Sequence, residues 1–136
     1  YEFKHDYDQV YFSHCYPYTY LDLCGYVRSL EKAENLKKIL KIERIGRTAV
    51  GNEIFCFIIT NEITYKFPFY INSAIKNKKL VFLTGRVHPG ESNSSWIIKG
   101  MLDFLMGDHI FADVLRNNYV FAVVPMLNPD GVRYVF

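Results

Sequence analysis

The run Tyr119-Val120-Phe121-Ala122-Val123-Val124, closed by Pro125, carries no charge and no polar side chain beyond one phenol. It is too short for a buried helix and rich in β-branched and aromatic residues, so it reads as a strand covered on both faces. Upstream, Leu80-Val81-Phe82-Leu83-Thr84 reads as a second buried strand. Between the two, Ser94–Met106 has helical spacing, with Ile97, Met101, Phe104 and Leu105 on one face and Gly107 placed to cap its end. Gly100 inside that helix costs stability, which predicts a close approach to the sheet. Strand, helix and strand make a βαβ unit with parallel strands and a right-handed crossover. The turn after Leu80–Thr84 and the Asn128-Pro129-Asp130-Gly131 cluster after Pro125 then fall on one edge of the sheet. That edge, past the carboxyl ends of the strands, is where open α/β sheets bind ligands.

Earlier elements are of other kinds. Ile39–Arg47 and Ile54–Thr60 flank Gly51-Asn52 and predict a hairpin. Thr19 is placed to cap a helix holding Tyr20, Leu21, Leu23, Cys24, Val27 and Leu30, and Glu31–Leu40 is charged and helix-prone. Val10–Tyr16 alternates aromatic with polar residues and reads as a strand ended by Pro17. Asn61–Asn77, with Pro68, reads as a loop.

Composition narrows the function classes. At 136 residues and 50% hydrophobic content, the chain has the size and apolar content of one domain with a real core. A net charge of +2 gives no footing for nucleic acid or an acidic membrane. The densest basic patch, Lys76-Asn77-Lys78-Lys79, reads as a solvated loop. Cys15, Cys24 and Cys56 are few, odd in number and widely spaced, which argues for a reducing compartment, with Cys56 a small core residue. No apolar run approaches the ~18 residues of a membrane helix. The chain opens without Met and stops in Tyr134-Val135-Phe136, so a piece of a longer polypeptide is expected.

The chemistry concentrates in Arg86-Val87-His88-Pro89-Gly90-Glu91, a sharp turn from strand to helix. An imidazole and a carboxylate three residues apart there suggest two ligands of a zinc site, which needs at least one more protein ligand and a water for hydrolytic work. The same residues also fit a plain helix start, with Glu91 favoured by the dipole and His88 a surface turn residue. Ser92, Ser94 and Ser95 lack the Gly-x-Ser-x-Gly elbow and a His–Asp pair, so they read as caps and turn formers. His5, His14 and His109 each stand alone. Asn128-Pro129-Asp130-Gly131 reads as a turn that lines the same edge.

Gly85-Arg86-Val87-His88-Pro89-Gly90-Glu91-Ser92-Asn93-Ser94-Ser95-Trp96, followed by Val124-Pro125-Met126-Leu127-Asn128-Pro129-Asp130-Gly131-Val132, resembles the cytosolic carboxypeptidases. These are the zinc metallocarboxypeptidase subgroup that includes the tubulin deglutamylases. Tyr16-Pro17-Tyr18-Thr19-Tyr20-Leu21-Asp22-Leu23 resembles the start of their catalytic domain. The resemblance implies an α/β fold, the first half of a mixed, mainly parallel zinc-carboxypeptidase sheet with flanking helices. Residues 1–16 would be the end of a preceding β-sandwich domain, whose last strand they supply, and 17–136 the N-terminal half of the catalytic domain. It implies one Zn2+ held by His88 and Glu91, with a third protein ligand outside the chain and no catalytic residue within it. Arg86 belongs to the family pattern without a catalytic role, and Arg133 does not stand for the family's carboxylate-binding Arg, which comes later. The implied partners are peptide or protein C-terminal tails, glutamate-rich tails such as those of tubulin among them, with no nucleic acid and no membrane. The implied location is the cytoplasm. The rivals are a truncated, non-catalytic binding module of the same fold and a related amidohydrolase acting on small acyl amino acids.

Overall fold

The computed structural model describes residues 1–63 and 77–134. Its first regular element is helix α1, Tyr20–Glu31, and it starts where the sequence signals a start. The Thr19 hydroxyl accepts the Asp22 N–H at 3.1 Å and the Asp22 carboxylate accepts the Thr19 N–H at 2.8 Å, a reciprocal cap that satisfies two otherwise orphaned donors. Tyr20, Leu23 and Val27 face the core, and Gly25 is carried within the helix. The charged stretch after Glu31 does not prolong it. A single 3-10 turn, Glu34–Leu36, leads instead into strand β1, Leu40–Arg47.

Strand β1 pairs antiparallel with β2, Glu53–Ile59, from Leu40 opposite Ile59 to Arg47 opposite Glu53, with a register shift between Arg44 and Gly46. The hairpin turns at Gly51, whose φ of +93° is one that a side chain would resist. Strand β3, Lys79–Thr84, is followed by helix α2, Ser92–Met106, helix α3, Ile110–Asn118, strand β4, Tyr119–Val124, and helix α4, Pro129–Tyr134. The sheet order is β1-β2-β4-β3. Strands β3 and β4 are parallel, Lys79 opposite Tyr119 through Thr84 opposite Val124, and β4 is antiparallel to β2. The sheet is thus mixed, and the expected βαβ unit is present with α3 as an additional helix in the crossover. Leu23, Val27, Phe57, Ile59, Ile98, Leu102, Leu105, Phe121, Val123 and Met126 form the core. Full burial of a side chain of this size stabilises by roughly 1.5–3 kcal/mol.

Several expectations are corrected. Val10–Tyr16 forms no strand: it pairs with neither edge of the sheet, and Tyr11, Phe12 and Tyr16 are exposed. Strand β3 is not covered on both faces: it lies at the end of the sheet order, Leu80 and Phe82 are 66% and 62% exposed, and only Val81 and Leu83 pack on the core. Helix α2 is rotated from the expected face. Ser95, Ile98, Leu102 and Leu105 point inward, while Ile97 is exposed and Gly100 faces solvent, with open space where a Cβ would stand. Gly107 does cap α2, though in an extended conformation. Lys78 is not a solvated loop residue: its ammonium donates to the Thr60 hydroxyl and to the carbonyls of Asn61 and Arg116. Residues 64–76, most of the expected loop and Lys76 of the basic patch, lie outside the described residues. Cys56 is buried, as a core residue would be.

Candidate metal centre

The parallel pairing of β3 with β4 carries both chains to one rim and ties them together there. Beyond the ladder, the Gly85 N–H donates to the Val124 carbonyl at 2.9 Å, Leu127 N–H to the Gly85 carbonyl at 2.9 Å, and Asn128 N–H to the Arg86 carbonyl at 3.2 Å. The Asn128 amide adds a bond to the Val87 carbonyl at 3.2 Å, and its Oδ1 accepts the Gly131 N–H at 2.9 Å. Asn128 therefore caps the start of α4 and holds the chain just before His88. Gly85 permits this closeness, since a Cβ there would press into the Ile98 side chain and approach the Pro125 carbonyl.

His88 and Glu91 come together on this rim. His88 Nδ1 lies 3.0 Å from Glu91 Oε1, and the two side chains are 76% and 53% exposed. Glu91 occupies the N-cap position of α2, yet its side chain caps no N–H. The Ser94 hydroxyl instead ties the turn together, donating to the Glu91 carbonyl at 2.7 Å and accepting the Arg86 N–H at 3.1 Å. The carboxylate is left free to face the imidazole. An imidazole nitrogen with a carboxylate oxygen is a donor set suited to zinc, and two donors each about 2.1 Å from one tetrahedral ion stand about 3.4 Å apart. The observed separation is near that value, so the pair fits two corners of such a site. Among the described residues no group of three or more His, Cys, Asp or Glu gathers around a common point. His14 lies beside Cys15, and His109 caps α3 through Nδ1 on the Phe111 N–H.

Beneath the exposed pair is a buried cation. Arg86, 4% exposed, has φ +55°, a left-handed conformation that costs a non-glycine residue about 1 kcal/mol. Its guanidinium donates to the Pro89 carbonyl at 2.9 Å, the Tyr18 carbonyl at 3.1 Å, Ser95 Oγ at 3.0 Å and Ser92 Oγ at 3.1 Å. Burial pulls its pKa below the ordinary arginine value, partly offset by charges that include Glu91. An arginine stays protonated regardless. Sequence reasoning assigned Arg86 no role and missed its burial. The available signal was the cluster of hydroxyls at Ser92, Ser94 and Ser95, which accept from its guanidinium and backbone N–H. The Trp96 indole, donating to the Tyr16 carbonyl at 3.1 Å and meeting Tyr18 edge-on, fastens the N-terminal segment over the same corner.

A further polar cluster anchors the rim to the hairpin. Thr48 Oγ1 and Asn52 Nδ2 each donate to Asp130 Oδ1 at 2.6 Å, and Arg133 donates to Asn52 Oδ1 at 2.8 Å. Those two donors hold the Asp130 pKa below the usual carboxylate range. Arg133 is thus engaged in structure.

A four-stranded mixed sheet with helices around it, and a His-x-x-Glu pair on the carboxyl rim of its parallel strands, define an α/β domain with a candidate metal-binding rim. Residues 26–136 match the family described as zinc carboxypeptidase, and the chain belongs to that family. Over 132 residues it is 44% identical to cytosolic carboxypeptidase 3 of Bos taurus, which covers 97% of this chain and 12% of that protein. Against cytosolic carboxypeptidase 2 of Mus musculus it is 44% identical over 131 residues, covering 96% and 14%. The chain therefore spans about one-eighth of the length of these relatives. Among solved structures it is similar to a metallo-carboxypeptidase from Burkholderia cenocepacia, with TM-score 0.66, 25% identity and 85% of this chain against 28% of that one. It also shares its fold with carboxypeptidase A from Helicoverpa armigera, with TM-score 0.68, 21% identity and coverage of 85% and 25%.

Proposed function

We propose that this chain is the N-terminal part of the catalytic domain of a zinc carboxypeptidase and supplies two protein ligands, His88 and Glu91, to one Zn2+. One observation carries this assignment: the Glu91 carboxylate caps no helix N–H and lies 3.0 Å from His88 Nδ1 at the rim. The third protein ligand and the general base belong to sequence outside these 136 residues. When bound, the metal supplies Lewis acidity toward a scissile carbonyl and lowers the pKa of a bound water. His88 and Glu91 hold the ion at the rim, and the hydrogen bonds from Asn128 and Ser94 fix the backbone on either side of them. Residues 1–16 would end a preceding β-sandwich domain, with the catalytic domain beginning at 17.

The whole enzyme would remove C-terminal residues from peptides or protein tails, glutamates of acidic tails such as those of tubulin included. Cleavage at a C-terminus follows the name of the cytosolic carboxypeptidase relatives, while the glutamate and tubulin class rests on the motif resemblance alone. The cytoplasm is the proposed location. The three cysteines are unpaired, and among the described residues no helix is long and apolar enough to cross a membrane.

Zinc titration of the 136-residue chain against His88→Ala tests the half-site. The expected result is weak binding by the wild type, lost in the variant, while equal binding by both removes His88 from the ligand set. The chain alone is expected to show no peptidase activity with two ligands where a catalytic site uses three. Zinc-dependent release of C-terminal glutamate by this chain would overturn the assignment of the third ligand.

A further inference from the structure

We propose that Arg86 is a positioning residue for the metal centre: its buried guanidinium is the post around which the turn bearing His88 and Glu91 is wound. The inference rests on the zinc-site reading of that pair and goes beyond it.

The two ligands are the exposed part of the turn, and each other's side chain is the nearest partner the structure gives them. Their placement therefore depends on the backbone that carries them. That backbone is gripped from inside by one side chain. Arg86 Nε takes the carbonyl of Pro89, the residue between the two ligands, at 2.9 Å. Nη1 and Nη2 take the hydroxyls of Ser95 and Ser92 at 3.0 and 3.1 Å, which fixes the first turn of α2 immediately after Glu91. The Arg86 N–H reaches Ser94 Oγ, and that hydroxyl donates onward to the Glu91 carbonyl. The left-handed φ of Arg86 turns the chain so that its own side chain lies under the loop it begins.

Three different guanidinium nitrogens, Nε, Nη1 and Nη2, reach four acceptors, a fork that a compact lysine ammonium does not reproduce. Since none of the four is a carboxylate, the charge is not spent in an ion pair that would sit equally well elsewhere. The remaining bond, from Nη1 to the Tyr18 carbonyl at 3.1 Å, ties the turn to the segment just ahead of α1. Partners that orient metal ligands without touching the metal are worth about 10–100-fold in affinity or activity when lost.

The test uses the full-length zinc protein. Arg86→Lys and the pair Ser92→Ala with Ser95→Ala are compared with the wild type at a temperature where circular dichroism shows each folded. The zinc dissociation constant is expected to rise about 10–100-fold in both. The visible absorption band of cobalt(II), put in place of zinc, is expected to shift, and kcat to fall with KM unchanged. A purely structural role would lower the melting temperature and leave the cobalt band and the zinc affinity of the folded protein as they were, and that result overturns the proposal. If Arg86→Lys does not fold, the serine pair decides alone by the same two readouts. His88→Ala run alongside separates the two possible failures. Zinc lost in His88→Ala but held normally in the other variants overturns only the positioning role. Zinc held normally in His88→Ala overturns the metal-site reading, and the positioning role with it.

Discussion

The two ends of the parallel strand pair are built with the same device and differ in what it supports. At the carboxyl end, Arg86 is buried and takes carbonyl and hydroxyl oxygens of the turn after β3 and the start of α2. At the amino end, Arg116 is 6% exposed and takes the carbonyls of Leu105 and Gly107 at the end of α2, with Asn61 Oδ1 at 3.0 Å. Lys78 joins it, its ammonium on the Thr60 hydroxyl and on the carbonyls of Asn61 and Arg116 itself, and burial lowers its pKa. Around Arg116 the groups held are the carbonyls that end α2 and the side chains of Asn61 and Asp113, and among the described residues no imidazole or thiol bonds to it. Around Arg86 the groups held are the backbone of two donor side chains that stand in solvent. A buried guanidinium by itself therefore marks architecture. The chemistry is marked by what the guanidinium holds in place.

The sharpest break of that comparison is Arg116→Met. It leaves the Leu105 and Gly107 carbonyls and Asn61 Oδ1 without their donor, and should cost about 2–4 kcal/mol in urea unfolding while zinc affinity stays unchanged. A matching loss of zinc affinity would erase the distinction between the two ends. Asn128→Ala removes the cap on Gly131 and the bond to the Val87 carbonyl, and should cost about 1–2 kcal/mol by the same measurement. Unlike Arg116→Met, it should also weaken zinc binding, because it loosens the chain beside His88.

Asp130 gives a pH-dependent test. Its folded pKa lies below the ordinary 3.8, so its contribution is fully present above that value and lost as pH falls through the lowered one. Asp130→Asn should lower the urea midpoint at neutral pH, where that contribution is present, and flatten its acid-side fall, so that variant and wild type converge as pH drops. An unaltered acid limb would show that the Thr48 and Asn52 bonds do not favour the charged form. The smallest expected effect on stability is that of His88→Ala. At so exposed a site it should stay within about 0.5 kcal/mol, even though it abolishes the zinc half-site. A large loss of stability would place His88 among the structural residues, on the Arg116 side of the comparison.

Much of the scaffold was legible because its signals are local. The Thr19–Asp22 cap spans three residues, the Gly51 turn announces its hairpin, and the apolar run of β4 needs a covered position whatever surrounds it. The His88–Glu91 pairing was legible for the same reason, since a turn of four residues brings it together. The misreadings have a common physical origin. Periodicity placed Ile97 and Phe104 on an inward face of α2 with Met101 and Leu105, but which residues turn inward depends on the sheet below, and Ile98 and Leu102 took their place while Met101 and Leu105 still pack on the core. Leu80 and Phe82 look as buried in sequence as Phe121 and Val123, but their register partners are Val120 and Ala122, on the other and only partly covered face of the sheet. Val10–Tyr16 has strand composition, but composition does not pair it with either sheet edge, and in the folded chain it joins neither.

The sequence by itself determined the α/β scaffold, the turn that joins an imidazole to a carboxylate, and the family to which these motifs belong. Only the tertiary structure decided that the Asn128 segment is hydrogen-bonded to that turn and that Arg86 lies buried beneath it. The acceptors of Arg86 come from Pro89, three residues on, and from Tyr18, sixty-eight residues back. A charge can be buried only where such acceptors converge, and that convergence is a property of the folded chain, invisible to any local window of the sequence.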